Sequence, residues 1–213
     1  MAQRDGSSNS GLRPVRNLYG SIAIRSYVES TCASSKCIAV GDIVTFDTVV
    51  NSSGNPFVVI APSSQGNAQN LLQNGITSLL GVAVSASTSD GSTTGQPAST
   101  ALSDGRRNIL VAIADGFTEF AIDISSVGAT PQVPASSMIG RIYPIECVRT
   151  AVGTKAGHGV WFLSSTNEST AADLSFVVTD VPSDQIGTTG GFVYGKFLST
   201  MVHRSVRAGG PIT

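Results

Sequence analysis

Apolar and polar residues alternate along most of this chain with the two-residue period of half-buried strands, in short runs punctuated by Gly, Ser, Asp and Pro. The alternation starts at residues 21–28. Residues 36–40 lead into the turn pair Gly41-Asp42, and a second strand resumes at residues 43–47. Further strand-sized runs occupy residues 57–61, 79–86, 108–114, 118–124, 138–148, 159–163, 174–178 and 192–201, rich in β-branched or aromatic side chains. Residues 67–74, closed by Gly75, predict the one short helix.

Two Ser-Asp-Gly triplets, at residues 89–91 and 103–105, read as turns between antiparallel strands, and residues 126–137 as a loop. Roughly ten short strands and no alternation with long helices predict an all-β barrel or sandwich of antiparallel strands. Residues 7–20 show neither a helical nor a strand period. The domain reading is therefore an extended N-terminal arm over residues 1–30, a β domain over 31–203, and a C-terminal tail over 204–213.

Composition sharpens the picture of the surface. Of the 213 residues 41% are hydrophobic but only 13% are charged, about half the usual share of roughly 25%. Ser, Thr, Gly, Asn and Ala must then cover much of the exterior, which suits a protein whose outside is largely contact. A net charge of −1 argues against direct nucleic-acid binding, which needs a surplus of Lys and Arg on one face. The chain contains no apolar run of about 18 residues to cross a bilayer, and its start, MAQRDGSSNSG, holds no hydrophobic signal segment. Synthesis in a cytosol is the expectation.

Candidate chemistry is sparse. Cys32, Cys37 and Cys147 form no CxxC pair and read as reduced, buried small residues. A metal site would need a further ligand from His158 or His203, whose spacing does not provide one. Gly190 to Lys196 satisfies the GxxxxGK skeleton of a phosphate loop, but Phe197 stands where a magnesium-binding hydroxyl is required, so the stretch reads as a strand entered from a glycine turn. No GxSxG is present. Among the carboxylates weighed as a glycosidase pair, Asp90, Asp104, Asp115 and Glu119, three occupy turns where Asp is common anyway. The expectation is a non-enzymatic chain without cofactor or metal.

The leader carries the binding candidates. Arg4, Arg13, Arg16 and Arg25 are interspersed with Asp5 and Glu29 and do not form a basic run, which favours pairing with carboxylates on a protein surface. Pro14 stiffens the segment and Tyr19 offers an amphipathic anchor. Arg13, Pro14, Arg16, Tyr19 and Arg25 are thus the predicted contact residues.

The order of these features resembles the head decoration (cement) proteins of tailed bacteriophages, notably marine and cyanobacterial ones. The residues that carry the likeness are Gly11-Leu12-Arg13-Pro14-Val15-Arg16, Tyr19-Gly20-Ser21, Tyr27, Ala39-Val40-Gly41-Asp42-Ile43-Val44 and Leu80-Gly81-Val82-Ala83-Val84, within residues 11–85. The resemblance implies a virion protein on the outer capsid surface that bridges neighbouring major capsid protein subunits, a homotrimer in keeping with such lattices. A receptor- or glycan-binding knob is the alternative; it needs an exposed aromatic platform, whereas the single tryptophan, Trp161, lies in a strand-like run. A hydrolase relying on His158 or His203 is the more distant rival.

Overall fold

The computed structural model describes residues 12–29, 38, 40–50, 56–61, 70–71, 79–85, 108–126, 130–149, 159–165 and 176–198. In chain order the strands are β1 (Arg13–Asn17), β2 (Ile24–Val28), β3 (Ile43–Val50), β4 (Pro56–Ile60), β5 (Asn70–Leu71), β6 (Leu79–Ala83) and β7 (Asn108–Ile113). They continue as β8 (Thr118–Ser126), β9 (Thr130–Pro131), β10 (Ile142–Tyr143), β11 (Ile145–Arg149), β12 (Gly159–Ser164), β13 (Phe176–Asp180) and β14 (Phe192–Phe197). A 3-10 turn at Ser136–Met138 is the one helical element among the described residues. The protein is all-β, as the alternation predicts.

Five strands form one antiparallel sheet in the order β2-β7-β6-β3-β4. A parallel bridge between Glu29, just past β2, and Val58 of β4 brings the two edges together, so the sheet nearly closes into a small barrel. β6 is buried along its whole length, which explains why its sequence is continuously apolar and does not alternate. Gly81 is required there, because a Cβ at that position would collide with the Ala112 carbonyl on β7.

The other nine strands run β10-β13-β14-β8-β12-β11-β5, with β1 and β9 also attached to β8. β8 is the hub. Residues 118–121 take β1, residues 120–123 take β14, and the last residues take β12 and β9. The β8–β12 contact is parallel, an exception to the antiparallel expectation. On the inner face Phe120, Ile122 and Ile124 of β8 meet Val193 and Phe197 of β14 in the core. Phe197 packs edge to face with Phe120 and Phe176 at ring-centroid distances of 5.4 and 5.5 Å, an arrangement favoured by the ring quadrupoles.

Three stretches far apart in sequence converge between the sheets. The Leu12 amide donates to the Gly41 carbonyl (3.1 Å), the Gly41 amide to Ala83 (2.8 Å), and the Ala83 amide to the Asp42 carbonyl (2.9 Å). Gly41 makes this possible with φ +92°, a conformation L side chains rarely adopt. Leu12 is fully buried in the core cluster, worth about 1.5–3 kcal/mol relative to exposure.

Several local expectations are corrected. The helix predicted over residues 67–74 is not formed where it is described: Asn70–Leu71 is β5, paired with Cys147 and Glu146 of β11. A segment so short gains little from helix nucleation, while the edge of β11 offers backbone partners directly. The single strand expected over 138–148 is interrupted by Pro144, which lacks an amide donor, and becomes β10 and β11. The loop expected over 126–137 contains β9 and the 3-10 turn. The part of the expected arm that the structure describes belongs to the body, with β1 in the larger sheet and β2 in the smaller. The Ser-Asp-Gly triplets, Gly75 and the tail over 204–213 lie outside the described residues.

Candidate protein-binding surface

β1 is an edge strand of the larger sheet, and its sequence shows how it is kept there without inviting another strand. Arg13, Pro14, Arg16 and Asn17 pair with Ala121, Phe120, Glu119 and Thr118 of β8, with a register shift at Val15. Pro14 withholds an amide, and the irregularity at Val15 bends the edge, two devices that discourage further pairing. The same shift breaks the two-residue alternation, which is why no period is visible in this part of the sequence.

Residues directly opposite on paired strands share a face of the sheet. One row on the solvent face therefore runs Arg13, Ala121, Tyr194, Asp180 across β1, β8, β14 and β13. Asp123 and Phe192 form the adjacent pair. The alternation of β14 places Phe192, Tyr194 and Lys196 on this half-exposed face and buries Val193, Gly195 and Phe197. The Arg13 guanidinium lies 5.4 Å from the Phe192 ring centroid, a cation–π distance, and the Phe192 and Tyr194 rings are 5.5 Å apart. Arg16, 53% exposed, forms an ion pair with the Glu119 carboxylate, only 3% exposed. That hydrogen bond, followed by the carboxylate's charge, raises the Arg16 pKa above its ordinary value.

The β1–β8 pair ends in a braced apolar tip. Asn17 donates from Nδ2 to Asp115 Oδ2 (2.9 Å) and Thr118 Oγ1 (3.0 Å), while its Oδ1 accepts the Tyr19 amide (2.9 Å). Above this frame Leu18, Tyr19 and Phe117 are 50%, 80% and 47% exposed. The Tyr19 and Phe117 rings meet edge to face, with centroids 4.8 Å apart.

Of the predicted contact residues, Arg13, Arg16 and Tyr19 are thus brought onto one side of β8. Pro14 pairs with the core residue Phe120 and helps shape the edge. Arg25 is elsewhere: it lies on β2 opposite the buried Val111 of β7, beside Tyr27. Burial lifts the Tyr27 hydroxyl above the ordinary tyrosine range, and the nearby Arg25 cation partly offsets that rise. Phe117, Phe192 and Tyr194 were not singled out from sequence, although the alternation in β14 marks the last two as outward-facing.

Of the carboxylates weighed for catalysis, the structure describes Asp115 and Glu119. Asp115 is the acceptor of the tip's brace and Glu119 the partner of Arg16, while Asp90, Asp104, His158, His203, Cys32 and Cys37 lie outside the described residues. Cys147 and Trp161 are both fully buried. Among the described residues no group of three or more His, Cys, Asp and Glu could hold a metal ion, and no helix is long and apolar enough to cross a membrane. No protein-family model, curated protein or solved structure matches the chain.

Proposed function

We propose that this chain is a structural virion protein that attaches to the outer surface of an assembled phage head and bridges neighbouring major capsid protein subunits. The observation that carries the reading is the β1–β8–β14 face, where Arg13, Arg16 and two aromatic rings stand together on an all-β body with only 13% charged residues. Arginine and aromatic side chains are the types enriched where proteins dock. Few charges elsewhere let copies and partners approach closely, and a modest contact is multiplied when repeated around a symmetric lattice. The resemblance of residues 11–85 to cement proteins supports the same reading, since Leu12, Gly41 and Ala83, one from each of three of its motifs, meet in one hydrogen-bonded junction.

A homotrimer on the capsid exterior is the assembly proposed. Cosedimentation of the purified chain with assembled heads tests attachment, and the mass of the free chain by light scattering tests the trimer. A glycan-binding knob would instead give hits on a glycan array and no cosedimentation with heads.

A further inference from the structure

The turn from β7 to β8 contains the step Asp115-Gly116. Such a step is prone to rearrangement, because glycine has no side chain to shield its amide nitrogen from the aspartyl Cγ next to it. Four of these steps occur in the chain, at Asp5, Asp90, Asp104 and Asp115, and the last lies among the described residues. Gly116 has φ +84°, and a Cβ built there would meet nothing within 4 Å, so its surroundings leave room for the turn to rearrange.

Asp115 is held in place by bonds on both of its oxygens. Oδ1 accepts the Phe117 amide (2.9 Å), the Thr118 amide (2.8 Å) and the Thr118 hydroxyl (2.9 Å), and Oδ2 accepts Asn17 Nδ2 (2.9 Å). Closing a ring onto Gly116 must expel one of these oxygens as water, so bonds to a carboxylate, among the stronger kind, have to be given up first. The donor on Oδ2 differs from the rest. Phe117 and Thr118 belong to the turn itself, whereas Asn17 is the last residue of β1, 98 positions away, and is brought to Asp115 by the pairing of β1 with β8.

The geometry points to Asp115-Gly116 as a latent isoaspartate site that β1 keeps closed. When β1 leaves β8, the Gly116 nitrogen bonds to Cγ, and a carboxyl oxygen departs as water with the amide proton and one proton from solvent, leaving a succinimide. Water then adds at the former main-chain carbonyl of Asp115, the bond from that carbon to nitrogen breaks, and a proton returns to solvent. The chain now runs through the former side chain. Its mass is unchanged, but the main chain is one methylene longer and the carboxylate no longer stands where Asn17 meets it. A transient opening of β1 thus becomes a lasting loss of one of its ties, whatever the β1–β8–β14 face attaches to.

The test incubates the full chain, its Asn17→Ala and Leu12→Val variants and a peptide of residues 112–119 in warm, mildly acidic buffer. Isoaspartate is read by labelling with an isoaspartyl methyltransferase, and fragmentation of the digest in a mass spectrometer assigns it to position 115 as distinct from 5, 90 and 104. Wild-type chain is expected to isomerise at 115 at least roughly tenfold more slowly than the peptide, and Asn17→Ala roughly tenfold faster than wild type, the factor for losing one hydrogen bond to a carboxylate. Leu12→Val leaves every donor on Asp115 in place and weakens only the packing that holds β1, so a several-fold faster rate is expected there too. Unchanged emission from the buried Trp161 verifies that both variants are folded. Wild-type chain that isomerises as fast as the peptide would overturn the inference, as would a wild-type rate at 115 in either folded variant. Hydrogen exchange gives a second check on the wild-type chain alone: β1 amides should exchange faster in the isomerised fraction than in the fresh protein, and equal exchange would count against the site as well.

Discussion

The indole Nε1 of Trp161 donates a 2.9 Å hydrogen bond to Oδ1 of Asp42, with both residues buried and 119 positions apart in sequence. The bond ties β12 of the larger sheet to the turn that enters β3 of the smaller one. Trp161→Phe keeps most of the ring's packing but removes the donor, and is expected to cost about 1–3 kcal/mol in chemical denaturation. Asp42→Asn, which keeps an acceptor, should cost less than Asp42→Ala. Equal losses for the two Asp42 variants would contradict this role.

Gly195 is fixed by crowding. A Cβ there would run into the Phe176 ring and the Val177 carbonyl, so Gly195→Ala has to displace β13 or the aromatic trio in the core. The expected loss is about 1–3 kcal/mol, the range for overpacking. The companion variant Gly195→Ala/Phe176→Leu should recover part of it if the ring is the obstacle.

Leu12 holds the start of β1 in the core while its amide reaches Gly41. Leu12→Ala is expected to destabilise the protein by about 2–5 kcal/mol. Hydrogen exchange should quicken at the β1 amides more than at the central strands β8 and β14. Uniform exchange in the variant would mean that β1 opens only with the whole body.

Tyr27 supplies a prediction in alkaline solution. Burial raises its pKa in the folded chain, so the unfolded chain gives up this proton at lower pH. Its contribution to stability is complete below the ordinary tyrosine value of about 10 and is lost as pH rises through the folded value. Wild type should therefore lose denaturant resistance relative to Tyr27→Phe in that window. A pH-independent difference between the two proteins would contradict the assignment.

How much of this was legible in the sequence depended on whether a residue's role was local. The alternation of Phe192, Val193, Tyr194, Gly195, Lys196 and Phe197 marks β14 and its outward rings, and Gly41-Asp42 announces its turn. Residues 67–74 misled because a short amphipathic pattern suits either a helix or an edge strand, and pairing with β11 decided for Asn70–Leu71. β1 was hidden by the irregularity at Val15, which removes the period a strand normally shows. The site was half visible: Arg13, Arg16 and Tyr19 stood out as residue types, but that Phe117 meets Tyr19 and Glu119 meets Arg16 follows only from the β1–β8 register.

The central claim, attachment to a phage head through the β1–β8–β14 face, is tested most directly by adding purified chain to assembled heads that lack it and measuring occupancy by electron cryomicroscopy. Arg13→Ala/Arg16→Ala/Glu119→Gln serves as the comparison, since neutralising Glu119 avoids leaving a buried carboxylate without its arginine. Attachment predicts regular density from the wild-type chain and at least a several-fold lower occupancy for the folded variant. Bare heads with wild-type chain, or full occupancy with the variant, would contradict it.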